Sequence, residues 1–252
     1  LEESDFVTTA TQAADFILAE LRTDSGRLLR SWKDDRAQHD GTLEDYSHLA
    51  DGLLALYEAT FEERWFIAAR DLAELMLRHF RADDSGFVDT ADDAESLIAR
   101  TRSPQDSALP SGGASAVLVL LRLAALTGES RYRDVAEAAI RPMAPVAARH
   151  PTAFAAWLLA YQMASAPIHE VAIVGDPAAA DTQALLATAR ARYRPGQVMA
   201  ASPAPEASAI PLLQGRSVID GRATAYVCHG FTCQRPAIEP QELATQLEPQ
   251  AK

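Results

Sequence analysis

The sequence predicts a mainly α-helical chain: a partial α/α toroid of helical hairpins over residues 1–166, followed by a small C-terminal α/β domain over 167–252. Three observations carry this reading. Leu53, Leu54, Thr60, Trp65 and Ala69 are echoed at one constant displacement by Leu120, Leu121, Thr127, Tyr132 and Ala136, the mark of a helix-loop-helix unit used twice. A second echo matches the apolar helix from Phe6 to Leu21 and its Thr23-Asp24-Ser25-Gly26 turn to the stretch Trp65 to Phe80 and Asp83-Asp84-Ser85-Gly86. At Pro167 the helical period gives way to short β-branched runs. Hairpins repeated in series, with extended excursions at one end, build a toroid whose loops gather around a pocket.

The elements follow in order. After the helix around Phe6 to Leu21, Leu43 to Ala59 carries Leu49, Gly52, Leu53 and Leu56 on faces an outer helix would leave polar, so it is expected in an inner ring. From Glu63, the residues Trp65, Ala68, Ala69, Leu72, Leu75, Met76, His79 and Phe80 keep helical spacing, with Glu63, Arg70, Glu74 and Arg78 on other faces. That is an outer helix, wet on one side. Ala114 to Leu126 is apolar almost all round, broken only by Arg122, and is expected to be inner and buried. Tyr132, Val135, Ala136, Ala139, Ile140 and Met143 form a further outer helix with Ser130 as its expected N-cap, and Phe154 to Met163 a further inner one. These are six helices, alternately outer and inner. A closed ring of six hairpins calls for twice that number, so the ring is open here or completed by other residues.

Beyond Pro167, His169 to Val174 reads as a strand ended by Gly175-Asp176-Pro177, Asp181 to Tyr193 as a helix, Gln197 to Ala200 and Ala223 to Cys228 as strands, and Glu239 to Leu247 as a last helix. Ala201 to Pro211, rich in Ala, Pro and Ser, reads as a surface loop.

Composition narrows the partners. The 252 residues are 48% hydrophobic, and no apolar run reaches the roughly 20 residues of a membrane helix. A net charge of −12 would repel nucleic acid or an anionic membrane, so neither is expected; a neutral or cationic small molecule fits better. The chain opens at Leu1 without a signal-peptide pattern and reads as beginning inside a longer gene product. Two cysteines are too few for a secreted disulfide scaffold, which makes the cytoplasm the expected location. No cofactor is expected. His39, His79, His150, His169 and His229 show no metal-ligand spacing.

Three stretches carry a resemblance. Gly41-Thr42-Leu43-Glu44-Asp45-Tyr46 leading to Gly52 through Thr60, then Arg100 through Asp106-Ser107-Ala108-Leu109-Pro110-Ser111-Gly112, then Tyr226-Val227-Cys228 to Cys233 with Pro236, resemble the C-terminal part of thioredoxin-domain-containing proteins related to spermatogenesis-associated protein 20. The resemblance implies a six-hairpin glycosidase-like toroid, akin to those of glycosidases and sugar 2-epimerases, preceded in a longer protein by a thioredoxin-like domain. The family's loop continues Pro-Ser-Gly-Asn-Ser, whereas here Pro110-Ser111-Gly112 runs into Gly113-Ala114-Ser115, one polar side chain fewer in the expected pocket.

Several residues are candidates for chemistry. Asp45 and Asp106 lie where excursion loops meet inner helices and are the expected acid/base pair, since two carboxyl groups flanking a glycosidic bond are what inverting hydrolysis requires. Each has a structural reading as well: Thr42-x-x-Asp45 fits a capping box, and Asp106 lies among turn-forming Ser, Pro and Gly. Tyr46 is a candidate donor or stacking surface, Arg100 a clamp on a substrate carboxylate or on Asp106, and Ser111 an N-cap or ligand contact. His48 steps one turn from Glu44 and from Asp51, as a proton relay, a weak metal site or a solvated stripe would. Cys228 and Cys233 are too widely spaced for a redox or zinc-ribbon motif; reduced, buried thiols are expected, with a Gly230 turn that would let them pair and exchange with a thioredoxin-like domain.

The expected function is therefore a carbohydrate-acting or carbohydrate-binding protein, a glycoside hydrolase or sugar epimerase by class. The competing expectation is a non-catalytic module that docks on a protein partner or a thioredoxin-like domain. Exposed inner-helix surface would also favour self-association.

Overall fold

The computed structural model describes residues 4–94 and 100–248; the part of the excursion at 95–99, just before Arg100, lies outside them. About half of the chain is helical, with eight α-helices and two small sheets among the described residues. It divides into two compact units, one of Leu1–Leu121 with Arg131–Tyr161, the other of Arg122–Ser130 with Gln162–Lys252.

In the first unit, α1 (Ser4–Glu20) leads through a hairpin of β1 (Leu29–Lys33) and β2 (Arg36–Asp40) to α2 (Leu43–Thr60) and α3 (Glu63–His79). The spacing of α3 does what it predicts: Trp65, Phe66, Ala69, Leu72, Ala73 and Met76 are buried completely, while Arg64 and Arg78 are exposed and Leu75 and His79 half-buried. Helix α2 buries Tyr46, Leu53, Leu54 and Tyr57, but of the residues expected to mark an inner position Leu49 is half-buried and Gly52 exposed. Trp65 has no accessible surface, and truncating such a core aromatic costs about 3–5 kcal/mol. A fourth helix, α4 (Gly112–Thr127), is buried almost all round, and α5 (Ser130–Arg149) buries Tyr132, Ala136 and Ala139. The Tyr132 hydroxyl donates to Glu74 Oε1 at 2.5 Å and Arg131 grips the same carboxylate, which holds the Glu74 carboxyl below the usual range.

Both sequence echoes are structural. Leu29 N–H donates to Leu21 O at 2.8 Å, closing the turn through Arg22 and Leu28, and Val88 N–H donates to Phe80 O at 2.9 Å, closing the matching turn through Arg81 and Phe87. At the ends of α2 and α4, Thr60 Oγ1 donates to Leu56 O and Thr127 Oγ1 to Leu123 O, and each hydroxyl then accepts from the N–H two residues on, Glu62 or Glu129. One expectation is made more specific and one is corrected. The excursion after the first turn is a regular hairpin, with one residue of β2 half-buried and the rest exposed, so no alternation marked it in the sequence. The sixth helix, α6 (Ala155–Ser165), buries Ala156, Trp157, Ala160 and Met163 but leaves Leu159 and Tyr161 about half exposed.

The second unit is a four-stranded sheet in the order β4-β3-β5-β6, from β3 (His169–Val174), β4 (Gln197–Ser202), β5 (Thr224–His229) and β6 (Thr232–Cys233). The helix α7 (Ala180–Arg190) is the crossover that makes β3 and β4 parallel; β5 returns antiparallel to β3, and α8 (Pro240–Gln246) packs on α7 and β5. No helix among the described residues is long and apolar enough to cross a membrane.

Close approach of the first turns of α2 and α4 depends on Gly112, where a Cβ would fall 2.9 Å from Glu44 N and 3.1 Å from its Cα. Backbone cannot yield as a flexible side chain does, so Gly112→Ala is expected to lower stability by about 1–3 kcal/mol in urea unfolding, with an unchanged denaturant slope.

Candidate functional site

Two concavities lie in the helical unit. One is a polar cleft of about 370 Å³ at the starts of α2 and α4, lined by Arg30, Thr42, Glu44, Asp89, Gln105 and Ser111, among others. The other is an apolar groove of about 590 Å³ between α1 and α2, walled by Ala10, Ala14, Ile17 and Leu53 and rimmed by Arg30, Glu44, Asp45 and His48.

The first turn of α2 shapes both. Thr42 and Asp45 form a capping box: Thr42 N–H donates to Asp45 Oδ2 at 2.7 Å, and the Thr42 hydroxyl to the same oxygen at 3.0 Å. Arg30, reaching over from β1, donates to Thr42 Oγ1 at 2.6 Å, to Asp45 Oδ2 at 3.3 Å and to Glu44 Oε1 at 2.5 Å. The Glu44 carboxylate holds the Arg30 guanidinium more firmly protonated than usual. These ion pairs are substantially solvated and weak individually, but they fix where two carboxylates point.

The loop 103–111 forms the opposite wall. Asp106 lies between Gln105 and Ser107, both of which line the cleft, and its own carboxylate is turned to the backbone. Its Oδ1 accepts Ser111 N–H at 2.9 Å and its Oδ2 accepts Ala156 N–H, in the first turn of α6, also at 2.9 Å. Trp157 Nε1–H donates to Pro104 O at 2.9 Å, and His48 Nε2 lies 3.1 Å from Pro110 O. Ser111, itself buried, accepts Ala114 N–H at 3.3 Å as an N-cap does and lines the cleft.

The remaining expected site residues fall elsewhere. Tyr46 is fully buried, its hydroxyl accepting Leu28 N–H at 2.8 Å and Arg27 Nε–H at 3.1 Å, so it anchors the start of the hairpin. Arg100 donates to the carbonyls of His79, Arg81 and Thr90, closing the C-terminal end of α3, where a cation also suits the helix dipole. Asp45 and His48 thus rim the apolar groove, Ser111 lines the polar cleft, and Asp106 borders neither. The carboxylates that the cleft does hold are Glu44 and Asp89; Asp89 Oδ2 accepts the Ser103 hydroxyl at 2.8 Å. In the sequence Glu44 stood out only as a neighbour of His48, and nothing in the local pattern singled out Asp89, Arg30 or Gln105. A third cluster joins His79 Nδ1 to Asp92 Oδ1 at 2.8 Å with Asp93 beside them, but Arg27 grips both oxygens of Asp93 at 2.9 and 2.7 Å. The charge of Asp93 is already compensated by Arg27.

In the second unit the expectation of reduced thiols is overturned. Cys228 and Cys233 form a disulfide because β5 and β6 pair them across a two-residue turn, with Cα atoms 3.8 Å apart. Gly230 and Phe231 both have positive φ, 56° and 64°, as the favoured two-residue hairpin turn demands. Glu170 on β3 accepts the N–H groups of both, at 3.0 and 2.7 Å, from a buried position that pushes its carboxyl pKa up.

If Asp106 is a brace, Asp106→Ala leaves two helix-start N–H groups without their acceptor and is expected to cost about 1–3 kcal/mol in denaturant unfolding. Asp106→Asn, which keeps one carbonyl acceptor, is expected to cost less.

No protein-family profile matches the chain. Among curated proteins it is 30% identical over 252 residues to spermatogenesis-associated protein 20 of Rattus norvegicus, covering 94% of this chain and 32% of that protein. To the Homo sapiens protein of the same name it is 29% identical over 264 residues, 99% of this chain and 34% of the relative; to that of Mus musculus, 30% over 209 residues, 81% and 26%. Over most of its length the chain is homologous to spermatogenesis-associated protein 20, and it spans about a third of the length of the rat and human relatives.

Proposed function

We propose that the helical unit is an arc of a six-hairpin, glycosidase-like α/α toroid, and that its polar cleft binds a neutral, polyhydroxylated small molecule of the sugar type. The observation that carries the reading is the lining of the cleft. At the converging starts of two inner helices it sets hydroxyls (Thr42, Ser103, Ser107, Ser111), an amide (Gln105), a guanidinium (Arg30) and two carboxylates (Glu44, Asp89) around about 370 Å³. Such an alternation of donors and acceptors suits vicinal hydroxyl groups, and the volume suits one small ring. Binding is favoured over catalysis because both oxygens of Asp106 accept backbone N–H groups, and Oδ2 of Asp45 is taken by the Thr42 N–H and hydroxyl and by Arg30. A cytoplasmic setting, and service to a thioredoxin-like domain in a longer protein, belong to the same proposal.

A second reading has its own observation. The apolar groove between α1 and α2, lined by Ala10, Ala14, Ile17, Leu49, Leu53 and Leu56, is shaped for an amphipathic helix. The occupant on this reading is a helical hairpin of a longer polypeptide, in keeping with the relatives' threefold greater length.

A thermal-shift screen of neutral sugars, amino sugars and uronic acids, on wild type and Gln105→Ala, tests the first reading. A ligand at about 100 times its Kd stabilises by about 2.7 kcal/mol. The expected result is such a rise in the wild type, lost or much reduced in Gln105→Ala, whose exposed side chain is not needed for folding. No shift with any sugar, or an equal shift in the variant, overturns the assignment to this cleft.

A further inference from the structure

The disulfide of the second unit is built asymmetrically, and its surroundings suit exchange better than reinforcement. Cys228 is fully buried; Cys233, its partner across the β5–β6 hairpin, is exposed. Against both sulfurs lies one side chain, Arg216, with Nη2 at 3.4 Å from Cys228 Sγ and 3.1 Å from Cys233 Sγ. Arg216 is itself only 8% exposed. Nη1 donates to Gln214 O at 3.0 Å, while Nε is buried without an acceptor. A neutral disulfide offers this permanent cation only weak acceptors, whereas a thiolate would pair with it fully. A cross-link over so short a hairpin, already set in register by β5, β6 and the Glu170 bonds to the turn, also removes less chain entropy than one closing a long loop.

We propose that Cys228–Cys233 is a redox-active pair, in which Arg216 stabilises the Cys228 thiolate and a partner dithiol is the reductant. The partner's thiolate attacks the exposed Cys233 Sγ, the Cys228–Cys233 bond breaks, and its electron pair leaves on Cys228 Sγ beside Arg216. A mixed disulfide now joins Cys233 to the partner. The partner's second thiol, losing its proton to solvent, attacks the partner's own sulfur in that bond, and Cys233 departs as a thiolate that takes a proton from water. Two electrons have passed: this chain holds a thiol and a thiolate, and the partner a disulfide. In the return direction the same steps make this chain the reductant. Arg216 is a positioning residue, acting through the charge of Cys228. Burial lowers the pKa of its guanidinium, and the nearby Glu170 carboxylate opposes that.

The test uses the whole chain. After reduction with dithiothreitol and its removal, the ultraviolet absorbance of thiolate is followed against pH, and the disulfide is separately equilibrated in dithiothreitol buffers and scored by maleimide gel shift. Wild type is expected to carry one thiolate with a pKa lowered from about 8.5 into the range of about 3.5–7.5 that cationic neighbours produce. Arg216→Gln is expected to lose that thiolate and to need roughly tenfold more reductant at the midpoint, and Arg216→Lys to restore part of both. If the wild-type protein forms no thiolate below its ordinary pKa, or opens its disulfide only on unfolding, the proposal is wrong, however the variants fold. Equal midpoints in folded wild type and Arg216→Gln would also overturn it.

Discussion

The helical unit is organised by the need to satisfy backbone N–H groups at helix starts. Each α-helix opens with N–H groups that have no partner within it, and a helix start drawn close to its neighbours cannot leave them all to water. Three of the helices that the sequence marks as inner, α2, α4 and α6, begin beside loops, and short polar side chains serve them: Asp45 with Thr42 at α2, Ser111 at α4, and Asp106 bridging Ser111 N–H to Ala156 N–H in α6. Because one carboxylate serves two helix starts, the loop 103–111 is tied to α6, and Trp157 and His48 fasten it at two further carbonyls. The polar cleft is the space left between these braced ends. Its width is set where Gly112 lets α4 come up to Glu44.

The same constraint explains what the sequence disclosed and what it concealed. Helical periodicity located α3 and α5 because burial there follows the 3.6-residue period, as Trp65, Ala69, Leu72 and Met76 do in α3, whereas α4 was marked by its almost unbroken apolar run. The repeat was legible since equivalent turns need equivalent residues, visible in the pair Thr60 and Thr127. The β1–β2 hairpin stayed hidden because β2 is exposed at all but one residue and β1 half-buries Leu29, Ser31 and Trp32 without a clean alternation. Among the site residues, a carboxylate near a helix start carries the same letters whether it caps or reacts. The Thr42-x-x-Asp45 spacing favoured the cap, but the partners of Asp106 lie in distant segments and leave no local trace. Tyr46 reads as a pocket aromatic until its hydroxyl is found under Leu28.

The second unit makes the converse use of polar groups. Its sheet buries two chargeable side chains, Glu170 and Arg216, beside one hairpin, and buried charges are costly unless each is given partners. Glu170 receives two N–H groups from a turn whose Phe231 sits at positive φ, and these two hydrogen bonds offset both the burial of the carboxylate and the strain of the turn. Glu170 was visible in the sequence as the one acid in the apolar strand run; Arg216, in an irregular loop, was not. The cysteine spacing left pairing open, and strand register decides it.

The central claim, that Asp45 and Asp106 serve the backbone while the neighbouring cleft takes a polyhydroxylated ligand, is tested most directly by mapping backbone amide NMR shifts during titration with sugars. The account predicts perturbations centred on Thr42, Glu44, Ser103, Gln105, Ser107 and Gly112, with the amides of Ser111 and Ala156 remaining protected from exchange in the free protein. Shifts gathered instead along the α1–α2 groove, or rapid exchange at Ser111 and Ala156, would contradict it.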